Sequence, residues 1–304
     1  MNKIILSSVC REVPAFSLAK CTSFLLIIVI FLSGCSSLRT NTIPSKISDN
    51  AELLAERGEN HWGKRIRPKD ARLAHIMLKR AVSLTPHDQQ LVALFARVCH
   101  FLAYYVEKDS ETKEILYLEG ADAAWECIVA LPEYEQIFNS AQGDSAAKSL
   151  ASLSVLTGNS IPLMYWYCAN KGRYLAHKKV VERLHYRETL ETMMHKIMSE
   201  NSDYYFGGPS RFFGAFYARL PGVDLSIAAD YFNKSIENSP DYFGTYILRA
   251  RYLHTKAGDR TAFEKDLQFV LDADPTVLPD VMPENLMAQE RAEELLTHIN
   301  MLFE

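Results

Sequence analysis

Residues 74–86 read AHIMLKRAVSLTP. Ala74, Leu78 and Ala81 fall on one helical face, and Pro86 stops the helix one turn later. The same offsets return in Ala228, Phe232, Ser235 and Pro240, in Phe263, Leu267, Val270 and Pro275, and loosely in Gly120, Ala124, Cys127 and Pro132. A large side chain between smaller ones makes a notched stripe that receives a neighbouring helix, and the proline fixes the turn that follows. Pro240 and Pro275 stand 35 residues apart, against about 34 for a tetratricopeptide repeat, whose second helix this pattern matches. A stretch from about 133 to 210 carries no such repeat. The expected fold is all-α: a tetratricopeptide-like array of antiparallel helix pairs with a non-repeating helical insertion.

Other segments agree with that reading. Pro68 begins the first repeat helix, and Gln89–Val106 places Leu91, Leu94, Phe95, Val98, Leu102 and Tyr105 three or four apart. Glu114–Ala130 ends before Pro132, Pro162 opens LMYWYCANKGRYLA, and 178–199 reads as one long charged helix. Asp224, Asp241 and Asp259 stand where helix caps belong, ahead of 225–237, 243–256 and 261–273, and 284–303 closes the chain. No segment alternates with period two for long enough to demand a strand.

The N-terminus has a separate purpose. Lys3, Arg11 and Lys20 precede FLLIIVIFL at 24–32, an apolar run too short to span a bilayer but suited to an export signal. It leads into Leu32-Ser33-Gly34-Cys35, which resembles the bacterial lipobox. Residues 1–34 are therefore expected to be a lipoprotein signal peptide, Cys35 the lipidation site, 35–50 a flexible tether and 51–304 a single helical-repeat domain. Ser36 after the cysteine favours the outer over the inner membrane. Removing 1–34 takes three basic residues and one acidic residue from a chain of formal charge −4, leaving −6. No Lys/Arg-rich run survives, so nucleic acid is not an expected partner. Cys99, Cys127 and Cys168 remain, each inside an apolar helical pattern and none in a CxxC, as expected of buried small hydrophobes.

Little of the sequence points to catalysis. Gly143-Asp144-Ser145-Ala146 hints at a nucleophile elbow, but helices rather than a strand flank it, so a loop serine capping the next helix is expected. Glu182 with His185, and Glu191 with His195, supply too few carboxylates for a di-metal bundle and lie among solvated charges. No phosphate loop, HExxH or cofactor fingerprint occurs. The expectation is a protein without enzymatic activity, cofactor or metal.

Two aromatic clusters stand out. One is Tyr165-Trp166-Tyr167, and the other is YYFGGPSRFFG at 204–214, with Phe216 and Tyr217 after it. Consecutive aromatic residues on a helix point in different directions, so one core cannot absorb them all. Repeat packing, a ligand cleft or pore, and membrane contact are all open readings. Gly207-Gly208-Pro209 allows a sharp turn from which Pro209 starts the next helix.

IPLMYWYCANKGRYLA at 161–176, YYFGGPSRFFG at 204–214, the ending from Asp272-Ala273-Asp274-Pro275 to Leu278-Pro279-Asp280, and 289–295 resemble the TRAP-transporter T-component family. The resemblance implies a periplasmic lipoprotein of helix pairs, associated with the solute-binding subunit of a TRAP transporter and forming oligomers, trimers in particular. It also implies a pore or cleft that passes a hydrophobic or organic-acid ligand. On that basis Tyr165, Trp166, Tyr204, Tyr205, Phe206, Gly207, Gly208, Pro209, Arg211, Phe212 and Phe213 are cleft candidates. Arg211, the one fixed cation among these rings, could anchor a carboxylate or tie the loop to a helix. Cys168, Asn170 and Lys171 depart from the small or apolar residues expected after Tyr165-Trp166. The alternative is a repeat scaffold for outer-membrane or pilus assembly, which predicts a shallow polar groove and no aromatic cavity.

Overall fold

The notched stripes are the interior of the protein. In the computed structural model, which describes residues 43–304 with side chains from residue 48 on, Ala74, Leu78, Ala81, Ala228, Phe232, Ser235, Phe263, Leu267 and Val270 are all fully buried. The small positions matter because they allow close approach. At Gly214 an added Cβ would lie 2.7 Å from the Phe232 ring. Burying a side chain such as Leu78 or Phe232 contributes about 1.5–3 kcal/mol.

The signal segment, Cys35 and residues 35–42 of the expected tether lie outside the described residues. The remainder of that tether is helical, because α1 begins at Ile43 and runs to Trp62. Then come α2 (Pro68–Leu84), α3 (Gln89–Phe101), α4 (Ser110–Val129), α5 (Pro132–Ser140), α6 (Ser145–Val155) and α7 (Ser160–Leu175). After these come α8 (Val180–His185), α9 (Arg187–Glu200), α10 (Tyr204–Arg219), α11 (Leu225–Asn238), α12 (Gly244–Arg249) and α13 (Thr255–Ala257). The chain closes with α14 (Arg260–Asp272), α15 (Met282–Thr297) and α16 (Ile299–Leu302). Among the described residues there is no strand, and no helix is long and apolar enough to cross a membrane. The fold is an all-α array of neighbouring helix pairs, with 48–304 forming one unit.

Several boundaries differ from the sequence reading, each for a physical reason. The long charged helix is two, α8 and α9, broken at Tyr186 (φ −92°, ψ −3°), whose ring receives the buried Lys171 ammonium at 4.4 Å. Asp224 and Asp259 cap as expected, accepting from the Ser226 and Ala262 N–H groups. Asp241 does not cap. The Phe243 N–H instead donates to Asn285 Oδ1 at 3.0 Å, while Asn285 Nδ2 donates to the Asp241 carbonyl at 2.8 Å. This cap comes from 42 residues away, so no local pattern records it. At the suspected elbow Asp144, not Ser145, caps α6 by accepting from Ala147 N–H at 2.9 Å.

Two helices each close with a widened π-helical turn, Leu102–Val106 after α3 and Ala250–His254 before α13. Such turns cost hydrogen-bond quality and are often retained where they place a side chain for function. Here they carry Tyr104, Tyr105 and Tyr252 to the same interior space.

Candidate site: an aromatic cavity rich in arginine

The stretch at 204–214 folds through a left-handed turn. Tyr205, Phe206 and Gly207 have φ values of 48°, 58° and 69°, and right-handed helix resumes beyond them with Pro209 in its first turn. Two non-glycine residues in that region carry roughly 1–3 kcal/mol of strain each, which the surroundings must offset. Arg211 does so. Its Nη1 donates to the Phe206 carbonyl at 2.7 Å, and its Nη2 donates to the Tyr205 carbonyl and the Tyr165 hydroxyl, both at 3.0 Å. Its ring contact is Tyr242, 4.2 Å from the guanidinium carbon. Arg211 therefore ties the turn through carbonyls, with no acidic partner among the described residues, and both of its terminal nitrogens are already engaged.

Behind this turn lies a cavity of about 80 Å³ that is partly open to solvent. Of the cleft candidates, Tyr165, Trp166, Tyr205, Gly208, Arg211 and Phe212 line it. Tyr204, Phe206, Gly207, Pro209 and Phe213 do not. Tyr204 packs edge-on against Tyr165 with centroids 5.1 Å apart, and Phe206 stacks on Tyr242 at 5.5 Å. Gly207 and Pro209 are buried in the turn, and Phe213 is fully buried against His195 and Tyr217. Tyr165-Trp166-Tyr167 divides as helical geometry requires: the first two face the cavity, while Tyr167 packs on Trp125 at 5.3 Å on another side. The glycines set the spacing. An added Cβ on Gly208 would come within 2.6 Å of the Tyr165 ring, and one on Gly172 within 3.0 Å of Phe212.

The rest of the lining comes from residues whose roles no local pattern revealed. Arg97, Arg173 and Arg219 join Arg211, and Glu284 is the one carboxylate among the lining residues. Arg97 Nη2 reaches Glu284 Oε1 at 3.3 Å, but Glu284 is already held by Arg65, whose Nη2 donates to Oε2 at 2.8 Å. The cavity thus carries a marked excess of positive charge. Burial raises the Tyr252 phenol, yet Arg173, Arg219 and Arg251 outweigh it and bring its pKa down to about 8. A weak signal did exist for Arg97, a cation within the otherwise apolar LFARVCHF at 94–101.

His100 shares this environment. Burial first, then the charges of Arg173, Arg211 and Arg97, hold its pKa well below the usual 6.5, so the ring stays neutral. Below pH 6.5 the unfolded chain binds a proton that the folded chain refuses, so acid destabilises the fold. The expected loss is up to about 1.4 kcal/mol per pH unit below 6.5. Denaturation of wild type and His100→Phe from pH 7 to 5 checks this. The variant should show the shallower fall, and equal slopes would contradict the assignment.

The residues that departed from expectation on α7 are packing groups. Asn170 is fully buried and donates to the Ala96 and Trp166 carbonyls, each at 2.9 Å, joining α7 to α3. Cys168 is buried and its thiol is pushed up by burial, as is that of Cys99. Among the described residues His75, Cys99 and Glu119 lie close enough to suggest a metal. However, Glu119 already holds His75 Nε2 at 2.6 Å and the Lys79 ammonium, so a cation stands there already.

The family model of the TRAP transporter T-component matches residues 105–303. That range contains both aromatic clusters and most of the cavity wall. No curated protein matches the chain.

Proposed function

The chain belongs to the TRAP transporter T-component family, an accessory component of a TRAP transport system, and we propose that it works there as a lipid-anchored periplasmic protein that binds the solute-binding subunit and holds a small hydrophobic or organic-acid ligand. The observation that carries this reading is the cavity itself. It combines large aromatic faces with uncompensated arginines, a combination that costs stability unless something apolar and anionic enters. The scaffold alternative predicts a shallow polar groove and has no observation in its favour. Anchoring rests on the Leu32-Ser33-Gly34-Cys35 motif. A Cys35→Ala chain that still partitions with membranes contradicts the anchor. A trimeric assembly follows from the family resemblance, and sedimentation equilibrium measures it.

Solute uptake tests the transport role. Cells lacking the chain should take up the TRAP solute more slowly and recover with the wild-type gene. Recovery should fail with Ala169→Trp, which fills the cavity, once circular dichroism has established that the variant folds. Unchanged uptake without the chain would sink the transport reading.

A further inference from the structure

The arginines of the cavity are not equivalent. Arg211 already donates to two carbonyls and to the hydroxyls of Tyr165 and Thr245, and Arg97 is paired with Glu284. Among the described residues, Arg173 and Arg219 have no acidic partner within ion-pair distance. Arg173 donates through Nη1 to the Tyr252 hydroxyl at 3.0 Å, and its guanidinium carbon lies 4.2 Å from the centre of the Tyr104 ring. Arg219 lies 5.0 Å from the Tyr252 ring, and its Nε donates to the Ala215 carbonyl at 3.0 Å. Its Nη1 is buried with no hydrogen-bond partner, and so is the Tyr104 hydroxyl. All four side chains line the same cavity.

Two guanidinium groups beside one tyrosine repel each other, and a buried donor without a partner is destabilising. Burial, followed by the charges of Arg173, Arg183 and Arg251, pulls the Arg219 guanidinium below its ordinary value against the effect of Tyr252. An entering carboxylate relieves all of this at once, because its two oxygens can accept from both arginines. Phe212, Ala215 and Leu248 line the same cavity and offer apolar surface to the remainder of such a molecule.

We propose that Arg173 and Arg219, with the hydroxyls of Tyr104 and Tyr252, bind the carboxylate of a small monocarboxylic acid whose apolar body lies in the aromatic part of the cavity. This rests on the reading of the cavity as a ligand site, and it moves the anion anchor from Arg211 to the pair Arg173 and Arg219. The ligand class is then an organic anion with an apolar body, distinct from a neutral hydrophobe or a bare inorganic anion.

Calorimetric titration of the mature wild-type chain with four acids, phenylacetate, benzoate, 4-methylvalerate and octanoate, tests it. Each acid is compared with its amide, and acetate and phosphate are run beside them. At least one apolar acid should bind about tenfold or more tighter than its amide and than acetate or phosphate, the expected scale of a charge-assisted contact. Arg173→Gln and Arg219→Gln should each weaken the acid by about tenfold and leave the amide unchanged. Acid and amide binding equally would overturn the carboxylate assignment while leaving the cavity a ligand site. Phosphate or acetate binding as well as the best acid would overturn the apolar body. If neither acids nor amides bind, both this inference and the ligand reading fall. The wild-type comparison needs no variant to fold.

Discussion

Replacing Glu284 by alanine is expected to lower the free energy of unfolding by about 3–5 kcal/mol, because it strands the buried Arg65 guanidinium and the half-buried one of Arg97. Glu284 is 2% exposed and Arg65 is 6% exposed. Arg65 Nε donates to both carboxylate oxygens at 3.2 Å and Nη2 to Oε2 at 2.8 Å, while Arg97 reaches Oε1 from another helix. The Tyr205 hydroxyl adds a longer contact at 3.4 Å. This cluster joins the turn after α1 to the start of α15, 219 residues away, and closes one end of the cavity. Trp62 lies 4.4 Å from the Arg65 guanidinium carbon, so removing the carboxylate leaves that cation against an apolar ring. For a domain of this size the loss corresponds to a fall in Tm of about 10 °C. Denaturant titration measures it directly. A loss near the ~0–1 kcal/mol of an exposed ion pair would show that water reaches the cluster.

The second large effect is expected at Gly207. Gly207→Ala should cost about 3 kcal/mol, from a left-handed backbone that disfavours Cβ and from overpacking. The φ of +69° accounts for the first part. For the second, the added Cβ would lie 2.9 Å from Ser235 Oγ and 3.0 Å from the Ser235 carbonyl oxygen, and the latter is backbone that cannot rotate away. The approach is close because Ser235 Oγ donates to the Gly207 carbonyl at 3.0 Å, which joins the left-handed turn to α11. The same denaturation assay checks it, and a loss below about 1 kcal/mol would mean that the turn relaxes freely.

These two sites illustrate what sequence reading reaches. Gly207 and the rings around it were legible, because three glycines and a proline among five aromatic residues fit neither an ordinary helix nor an ordinary loop. The repeat helices were legible for a similar reason, since the spacing of Ala74, Leu78 and Ala81 is local and recurs. Glu284 was not legible. It reads as an ordinary acidic residue in the first turn of a helix, and its arginine partners lie more than 180 residues away. Arg173 and Arg219 escaped for the same reason: each sits on its own helix, and arginine is at home on helix surfaces. Only packing turns these arginines inward together. Asn285, capping from a distance, and the π-helical turns that carry Tyr104 and Tyr252 belong to the same class of tertiary effect.

Arg211 was legible only in part. Its position among the rings was visible, but its partners depended on the left-handed turn, which presents the Tyr205 and Phe206 carbonyls to it. A guanidinium next to aromatic rings looks like a ligand anchor until the backbone beside it is known.

Calorimetric titration of the mature chain with the solute-binding subunit of its own TRAP system tests the proposed partnership. Saturable binding at a defined stoichiometry is expected, in the micromolar range of about −8 kcal/mol or tighter. No heat of binding at about 100 μM of each protein, with the solute-binding subunit either empty or loaded, would contradict it.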